Sequence, residues 1–361
     1  TISDANTVSA LDALAGAAAG VQITSSSGAA GASSRIVLRG QTSFNGDNEA
    51  LIVIDGVRMD NSENNTERQL GGVAYSNRAM DLNPNDIANV SILKGAAATA
   101  LYGIEGARGV VLITTKSGSS GGLKIDVGAN VTFSKVSNIV GMTNSYLQGS
   151  GGVWQGPETG QSGSWGPHVD DAYWDGSDYK WDKNGRITTD PSGVKFVPYD
   201  NVNSLFETGV TKNYNFAVSG GNDVTNYRFS FGNSNEKGVT PNNEFNRYTL
   251  GLKVGSSLLD NKLDVRFGAN YARSNGTRIQ QGSNTSGIML GLLRTPISFD
   301  NANGFDDAAD QPLSYQFEDA SQRNYRGGGG YDNPFWVVNN APFTDKVDRF
   351  YGNINASRNS A

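Results

Sequence analysis

From Leu123 onward the chain alternates between apolar and polar side chains. Leu123, Ile125, Val127, Ala129, Val131 and Phe133 alternate with Lys124, Asp126, Gly128, Asn130, Thr132 and Ser134. The pattern returns at Tyr214, Phe216 and Val218, and at Tyr227, Phe229 and Phe231. It returns again at Tyr248, Leu250, Leu252 and Val254, and at Leu263, Val265, Phe267, Ala269 and Tyr271. A weaker run carries Phe350, Ile354 and Ala356. Successive side chains of a strand point to opposite faces, so these runs predict strands with one apolar and one polar face.

The connections decide what covers the apolar face. Residues 220–223 and 258–261 read as tight turns, whereas 135–212, 233–246 and 274–346 are longer. Alternating short and long links characterise a transmembrane barrel, with short turns in the periplasm and long loops outside. A soluble sandwich has no reason for that asymmetry. Residues 123–361 therefore read as antiparallel transmembrane β-barrel strands, with long extracellular loops at 135–212 and 274–346. Tyr227, Phe229, Phe231, Leu250, Leu252, Val265 and Phe267 are expected to face outer-membrane lipid. Arg228, Lys253, Asp264 and Arg266 are expected to face the lumen, because charge on the lipid side is costly.

Bulk properties agree. Mean hydropathy is -0.42, as expected where only alternate residues need be apolar. No apolar run is long enough for a spanning helix. Glycine is abundant at 46 residues, which suits β-structure and loops. A net charge of -6 without a long Lys/Arg run argues against nucleic acid as a partner. Cysteine is absent, which removes disulfides and thiolate metal sites. Thr1 is neither a start Met nor part of a signal peptide, so a processed or truncated N-terminus is expected.

Residues 1–116 read differently, as a small α+β unit. Ser9 and Asp12 have capping-box-like spacing before an Ala-rich segment that Gly20 can end. Residues 36–38, 51–54, 90–93 and 110–115 read as short strands. Asn83-Pro84-Asn85-Asp86 is a helix start, and 95–102 a short helix stopping at Gly103. Residues 117–122 are almost all Gly and Ser, a domain boundary between this unit and the strands.

An ordered set of segments carries a resemblance. They are Ile36-Val37-Leu38-Arg39-Gly40, Ile54-Asp55-Gly56-Val57, residues 82–95 (LNPNDIANVSILKG), Ala100-Leu101-Tyr102-Gly103, Ala107-Arg108-Gly109-Val110 and Ile113-Thr114-Thr115-Lys116. Residues 218–223 and 226–238, Leu292-Leu293-Arg294-Thr295-Pro296 and Tyr331-Asp332-Asn333-Pro334 continue it. Together they resemble the SusC/RagA-like family of TonB-dependent outer-membrane transporters of Bacteroidota. The resemblance implies a plug domain inside a barrel of about 22 strands. It further implies TonB-driven import of glycan or peptide cargo and a SusD-like surface lipoprotein as lid. Open sheet edges are costly in lipid, so a longer protein is expected. The family's TonB box is not found in residues 1–7, so TonB is expected to act through a segment absent from this sequence.

Four charges flank plug glycines: Arg39, Asp55, Lys94 and Arg108. They are candidates for holding the plug to the barrel wall, the alternative being ion pairs within the plug. Gly40, Gly56, Gly95, Gly103 and Gly109 read as turn positions that need glycine's conformational freedom. Trp154, Trp165, Tyr173, Trp174, Tyr179 and Trp181 crowd the first long loop. They are candidates for contact with cargo or with a partner, or for a loop core. Residues 178–190 have a calcium-loop look, but Lys180 and Pro191 stand at ligand positions, and a turn at Asn184-Gly185 fits better. Residues 286–293 are apolar enough for a buried helix.

Catalysis has little support. His168 is the only histidine, and the neighbouring Asp170 and Asp171 are ordinary loop acids. No metal or cofactor is expected. The runner-up to gated import is a surface β-protein that binds glycans or proteins without transport. A compact α+β unit directly before the first strand favours the gated pore.

Overall fold

The computed structural model describes residues 20–40, 48–61, 72–73, 76–137, 141–260, 262–302 and 315–358. The expected Ala-rich helix before Gly20 and residues 1–7 lie outside them.

The first unit contains β1 (Val21–Ser25), β2 (Ser34–Leu38), β3 (Leu51–Ile54), β4 (Val57–Met59), β5 (Gly72–Val73), β6 (Ile87–Leu93), α1 (Ala96–Tyr102) and β7 (Val110–Thr115). β1 and β2 pair antiparallel. The order β4-β3-β7-β6 makes a four-stranded sheet in which β3 and β7 run parallel. Ile52 and Ile54 enter one core with Ile36, Leu38, Met59, Val111 and Ile113. Val53 points the other way, into a cluster with Ala98 of α1 and Val110. Burial on both faces explains why β3 and β7 read as unbroken apolar runs.

The wall follows. β8 (Gly121–Ser134) rises from the plug. The first long loop holds β9 (Gly149–Ser150), β10 (Val153–Trp154), β11 (Tyr173–Trp174), β12 (Ile187–Thr188) and β13 (Val194–Lys195). Then come β14 (Gly209–Gly221), β15 (Thr225–Lys237), β16 (Glu244–Leu258) and β17 (Leu263–Arg278). The second long loop holds β18 (Gln280–Gln281), α2 (Ile288–Arg294) and α3 (Pro334–Asn340), before β19 (Phe343–Arg358). β8, β14, β15, β16, β17 and β19 form one six-stranded antiparallel sheet in sequence order.

Register sets the faces. Val127, Phe216, Phe231, Leu250, Tyr271 and Phe350 stand side by side across all six strands. Ile125, Val218, Phe229, Leu252 and Ala269 form the next row. Most of these apolar side chains are exposed on the side away from the plug. Arg228 pairs in register with Lys253 on the opposite face, towards the plug.

The turns are as tight as expected. Asn222 accepts from the amides of Val224 and Thr225. Leu259 and Asp260 both have positive φ, 52° and 55°, the type I′ geometry that matches strand twist.

The ladder outruns the apolar rows, which corrects the loop limits. β15 and β16 stay paired to Lys237↔Glu244, so the link read as 233–246 is only 238–243. The two long loops are 135–208 and 279–342, shorter at their ends than 135–212 and 274–346. Above the apolar rows the outward side chains become Asn235, Lys237, Asn246, Arg273 and Asp348. Both faces are polar there, so alternation gives no signal although backbone pairing continues.

The long loops fold against each other. Leu205 packs with Ile288 and Leu292 of α2 and Val337 and Val338 of α3. Asn201 Nδ2 donates to the Phe299 carbonyl at 2.7 Å, and its Oδ1 accepts from the Asn301 amide at 2.9 Å. The apolar segment expected as a helix over 286–293 is α2, ending at Arg294 before Pro296.

Candidate functional site

The site is the contact between plug and wall, built from acids on plug turns and bases on inward-facing strand positions. Asp55 and Gly56 make the β3–β4 turn with positive φ, 48° and 86°. The Asp55 carboxylate is fixed by its own domain. Oδ1 accepts from the Thr115 amide at 3.0 Å, and Oδ2 from Thr115 Oγ1 at 2.7 Å. Lys253 Nζ of β16 reaches Oδ2 at 3.0 Å and donates to the Thr115 carbonyl at 3.0 Å. Asn353 Nδ2 of β19 donates to the Asp55 carbonyl at 3.0 Å.

A second contact uses the turn that the sequence marks as a helix start. The Asn83 side chain accepts from the Asn85 amide, and Pro84–Asp86 form one 3₁₀ turn. Asp86 at its end meets Arg228 Nη2 of β15 at 3.2 Å. Arg228 also has Asp126 of β8 at 3.8 Å, so it joins plug and wall.

Farther up the wall, Asp81 is almost fully buried. Arg78 of the plug lies 3.3 Å away and Arg349 of β19 3.6 Å away, while Ser274 Oγ of β17 donates at 3.3 Å. Burial pushes the Asp81 carboxyl above its ordinary pKa despite these arginines. Arg247 Nη1 of β16 donates to the Met80 carbonyl at 2.6 Å. Tyr351 of β19 packs onto the plug core.

Of the four charges expected to hold the plug, Asp55 is the one the structure brings to the wall by a described bond. Lys94 and Arg108 sit at the opposite ends of β6 and β7 from Asp86 and Thr115. Arg39 is exposed, and its Nη1 lies 3.0 Å from where a Cβ on Gly95 would be. Lys94 Nζ lies beside Gly20, and Arg108 closes the 3₁₀ turn Gly103–Arg108. The bases opposite Asp55 and Asp86 are wall residues. Arg228 and Lys253 were legible as lumen-facing, but alternation alone does not say which plug atom they meet. Gly40, Gly56, Gly95, Gly103 and Gly109 all have positive φ. At Gly109 a Cβ would also lie 2.4 Å from Leu38 Cδ1.

The aromatic cluster divides between the alternatives left open by the sequence, a loop core and a contact surface. Trp174 is buried with Leu147, Ala172, Ile187 and Phe196. Tyr179 and Trp181 are buried with Phe299 and Tyr325 of the second loop. Trp154 is half-buried between both groups. Large rings are what this loop pair uses to exclude water, and Trp174, Tyr179 and Trp181 among the six candidates belong to that loop core. Trp165 stays exposed beside Tyr146, with ring centroids 5.8 Å apart, and Tyr173 is half-buried under Lys195.

Asp182, Asn184 and Gly185 lie in the turn joining β11 and β12. Asp182 is buried and accepts from the Asn184 amide at 2.9 Å and Tyr199 Oη at 3.0 Å. Burial raises its pKa to about 6. Arg323 is fully buried and donates to the Trp181 and Asp300 carbonyls, 3.1 Å and 2.7 Å away.

Residues 1–110 match the family model described as TonB-dependent Receptor Plug Domain. TonB-dependent receptor SusC of Bacteroides thetaiotaomicron is 26% identical over 93% of this chain and 29% of its own length. TonB-dependent receptor P26 of Formosa agariphila is 30% identical over 86% of this chain and 28% of its own length. The chain thus spans under a third of these relatives. Among solved structures, the RagAB peptide importer in its closed-closed state superposes with a TM-score of 0.66, at 21% identity, covering 98% of this chain and 38% of that one. The open-open state gives 0.63 at 21% identity, covering 98% and 37%. Residues 1–110 are a TonB-dependent receptor plug domain, and the antiparallel wall strands that follow align with SusC and share the RagAB fold, so the chain resembles the SusC/RagA-like TonB-dependent receptors over nearly its whole length.

Proposed function

We propose that this chain is the gate and adjoining wall of an outer-membrane importer, driven by TonB and carrying glycan or peptide cargo under a SusD-like lipoprotein lid. The observation that supports this most directly is the pairing of Asp55 with Lys253 and Asp86 with Arg228. These contacts tie a separately folded plug to strands whose other face is apolar. These two pairs are polar and partly wetted, so water can replace them when the plug moves. A permanently closed unit would use an apolar seam instead. The outer loops, with Trp165 and Tyr146 exposed, form the surface that cargo or lid would meet.

The test is uptake. Cells making the full-length protein are supplied with defined oligosaccharides or a peptide digest, with and without TonB. Import is expected only with TonB, and affinity purification should recover a surface lipoprotein. Equal uptake without TonB would overturn gated import. Purification alone, with TonB-dependent uptake intact, would remove the lid and leave the transporter.

A further inference from the structure

Arg278 ends β17, and Asp345 lies near the start of β19, so the two flank the second outer loop. Their side chains form a two-point ion pair, Nε to Oδ1 at 2.5 Å and Nη2 to Oδ2 at 3.3 Å. The Arg278 side chain is 0% exposed. Its other donor contacts all go to the plug. Nη1 donates to the carbonyls of Ala30 at 3.0 Å and Gly31 at 3.1 Å, and Nη2 to Ser76 Oγ at 3.1 Å.

The plug segment it grips is the 26–33 link between β1 and β2. Wall residues hold that link from its amide side as well. The Ala30 amide donates to Asn243 Oδ1 at 2.6 Å, and the Gly31 amide to Glu236 Oε2 at 2.9 Å. A Cβ on Gly31 would lie 2.4 Å from the Phe245 ring, so the backbone comes this close only without a side chain. The second loop touches the plug directly too. Gln280 and Gln281 of β18 pair with Val73 and Gly72 of β5. Asn242 Nδ2 donates to the Val338 carbonyl of α3 at 3.0 Å.

We propose that Arg278 is the positioning residue through which the second outer loop controls the plug, an inference that rests on the gated-import reading. One planar guanidinium closes the base of the loop and satisfies three plug acceptors at once. A buried guanidinium cannot be parted cheaply from its carboxylate. Arg278↔Phe343 is the first pair of the β17–β19 ladder and Asp345 stands opposite Gly276, so a loop movement that frays these first pairs parts Asp345 from Arg278, and Ala30, Gly31 and Ser76 lose their donor together. Cargo or a lid pressing on 279–342 therefore loosens the outer end of the plug before any pull from the periplasm.

Hydrogen exchange on the full-length protein in detergent tests this without requiring transport. The decisive variant is Asp345→Asn, because the described bonds of that side chain go to Arg278. Exchange at the Ala30 and Gly31 amides should speed up on the order of tenfold, with β3 and β7 unchanged. Arg278→Gln should speed it further, and Arg278→Lys should fall between wild type and Gln. Wild-type exchange at 26–33 in Asp345→Asn would overturn the coupling even if Arg278→Gln loosens the segment. Acceleration spread equally over β15 and β16 would overturn it as well, by placing the change in the wall. Loss of TonB dependence in uptake would instead remove the import reading, and the exchange result would still decide the coupling.

Discussion

Lys253 Nζ sits 3.0 Å from Asp55 Oδ2 and equally close to the Thr115 carbonyl, so one wall lysine caps the β3–β4 turn and the end of β7 together. Both side chains are largely shielded, at 19% and 11% exposure, which places the pair between a surface ion pair and a buried one.

Lys253→Met should therefore weaken plug seating by about 1–3 kcal/mol. Hydrogen exchange at residues 110–115 would report it. A double-mutant cycle with Asp55→Asn should give a coupling energy of about 1–2 kcal/mol. Strictly additive single changes would mean that the two charges do not hold the plug.

The register rows make the sidedness of the wall testable. Leu252→Arg puts a cation on the outward apolar face and should cost about 2–4 kcal/mol in bilayers if that position is near mid-depth. Spin labels at Phe229 and Leu252 should relax with a lipid-soluble agent, and labels at Arg228 and Lys253 with a water-soluble one. A mixed division would undo the topology.

The aromatic residues of the first loop should separate into two classes. Trp181→Ala removes a buried ring and should destabilise the loop pair by about 3–5 kcal/mol. Trp165→Ala should change stability by no more than about 0.5 kcal/mol, because the residue is 69% exposed. Thermal unfolding followed by tryptophan fluorescence distinguishes them, and equal losses would contradict the burial pattern.

Asp182 makes the loop pair sensitive to pH. Its folded pKa of about 6 is above the ordinary 3.8, so the protonated form is favoured in the folded state. The sign follows. Loop stability is greatest below about pH 4, falls as pH rises from there to 6, and is flat above. The total loss from this group is about 3 kcal/mol. Protection factors at residues 173–188, taken relative to the intrinsic exchange rate at each pH, should be higher at pH 4.5 than at pH 7.5, and Asp182→Asn should flatten that difference. Loops that tighten on going from pH 4.5 to 7.5 would show that Arg323 and Tyr199 outweigh burial.

Much of the fold was legible because two kinds of burial leave two kinds of pattern. Wall strands have one apolar and one wet face, so 225–231 and 248–254 announce themselves by alternation. β3 and β7 are covered on both faces and read as plain apolar runs. Asp55-Gly56 specifies its turn locally, so it too could be read, whereas Asn83-Pro84, expected to start a helix, caps a single 3₁₀ turn that passes straight into β6 at Ile87 because the following residues pair with β7. Strand ends past Asn233 were hidden because both faces there are polar, and pairing rests on backbone groups that every residue carries.

What only tertiary structure decided was which charge meets which. Arg39, Asp55, Lys94 and Arg108 look alike in sequence, each beside a glycine at the end of an element. The parallel pairing of β3 with β7 puts Asp55 beside Thr115, at the wall-facing end, and leaves Lys94 and Arg108 at the other. Likewise the composition of the first loop shows aromatic surface, but only packing against the second loop determined that Trp174, Tyr179 and Trp181 are core and Trp165 is not. Sequence determines the local conformation and the faces of each strand, because those depend on neighbours along the chain. Contacts such as Arg228 with Asp86, 142 positions apart, depend on how separate elements stack, and no local pattern encodes that.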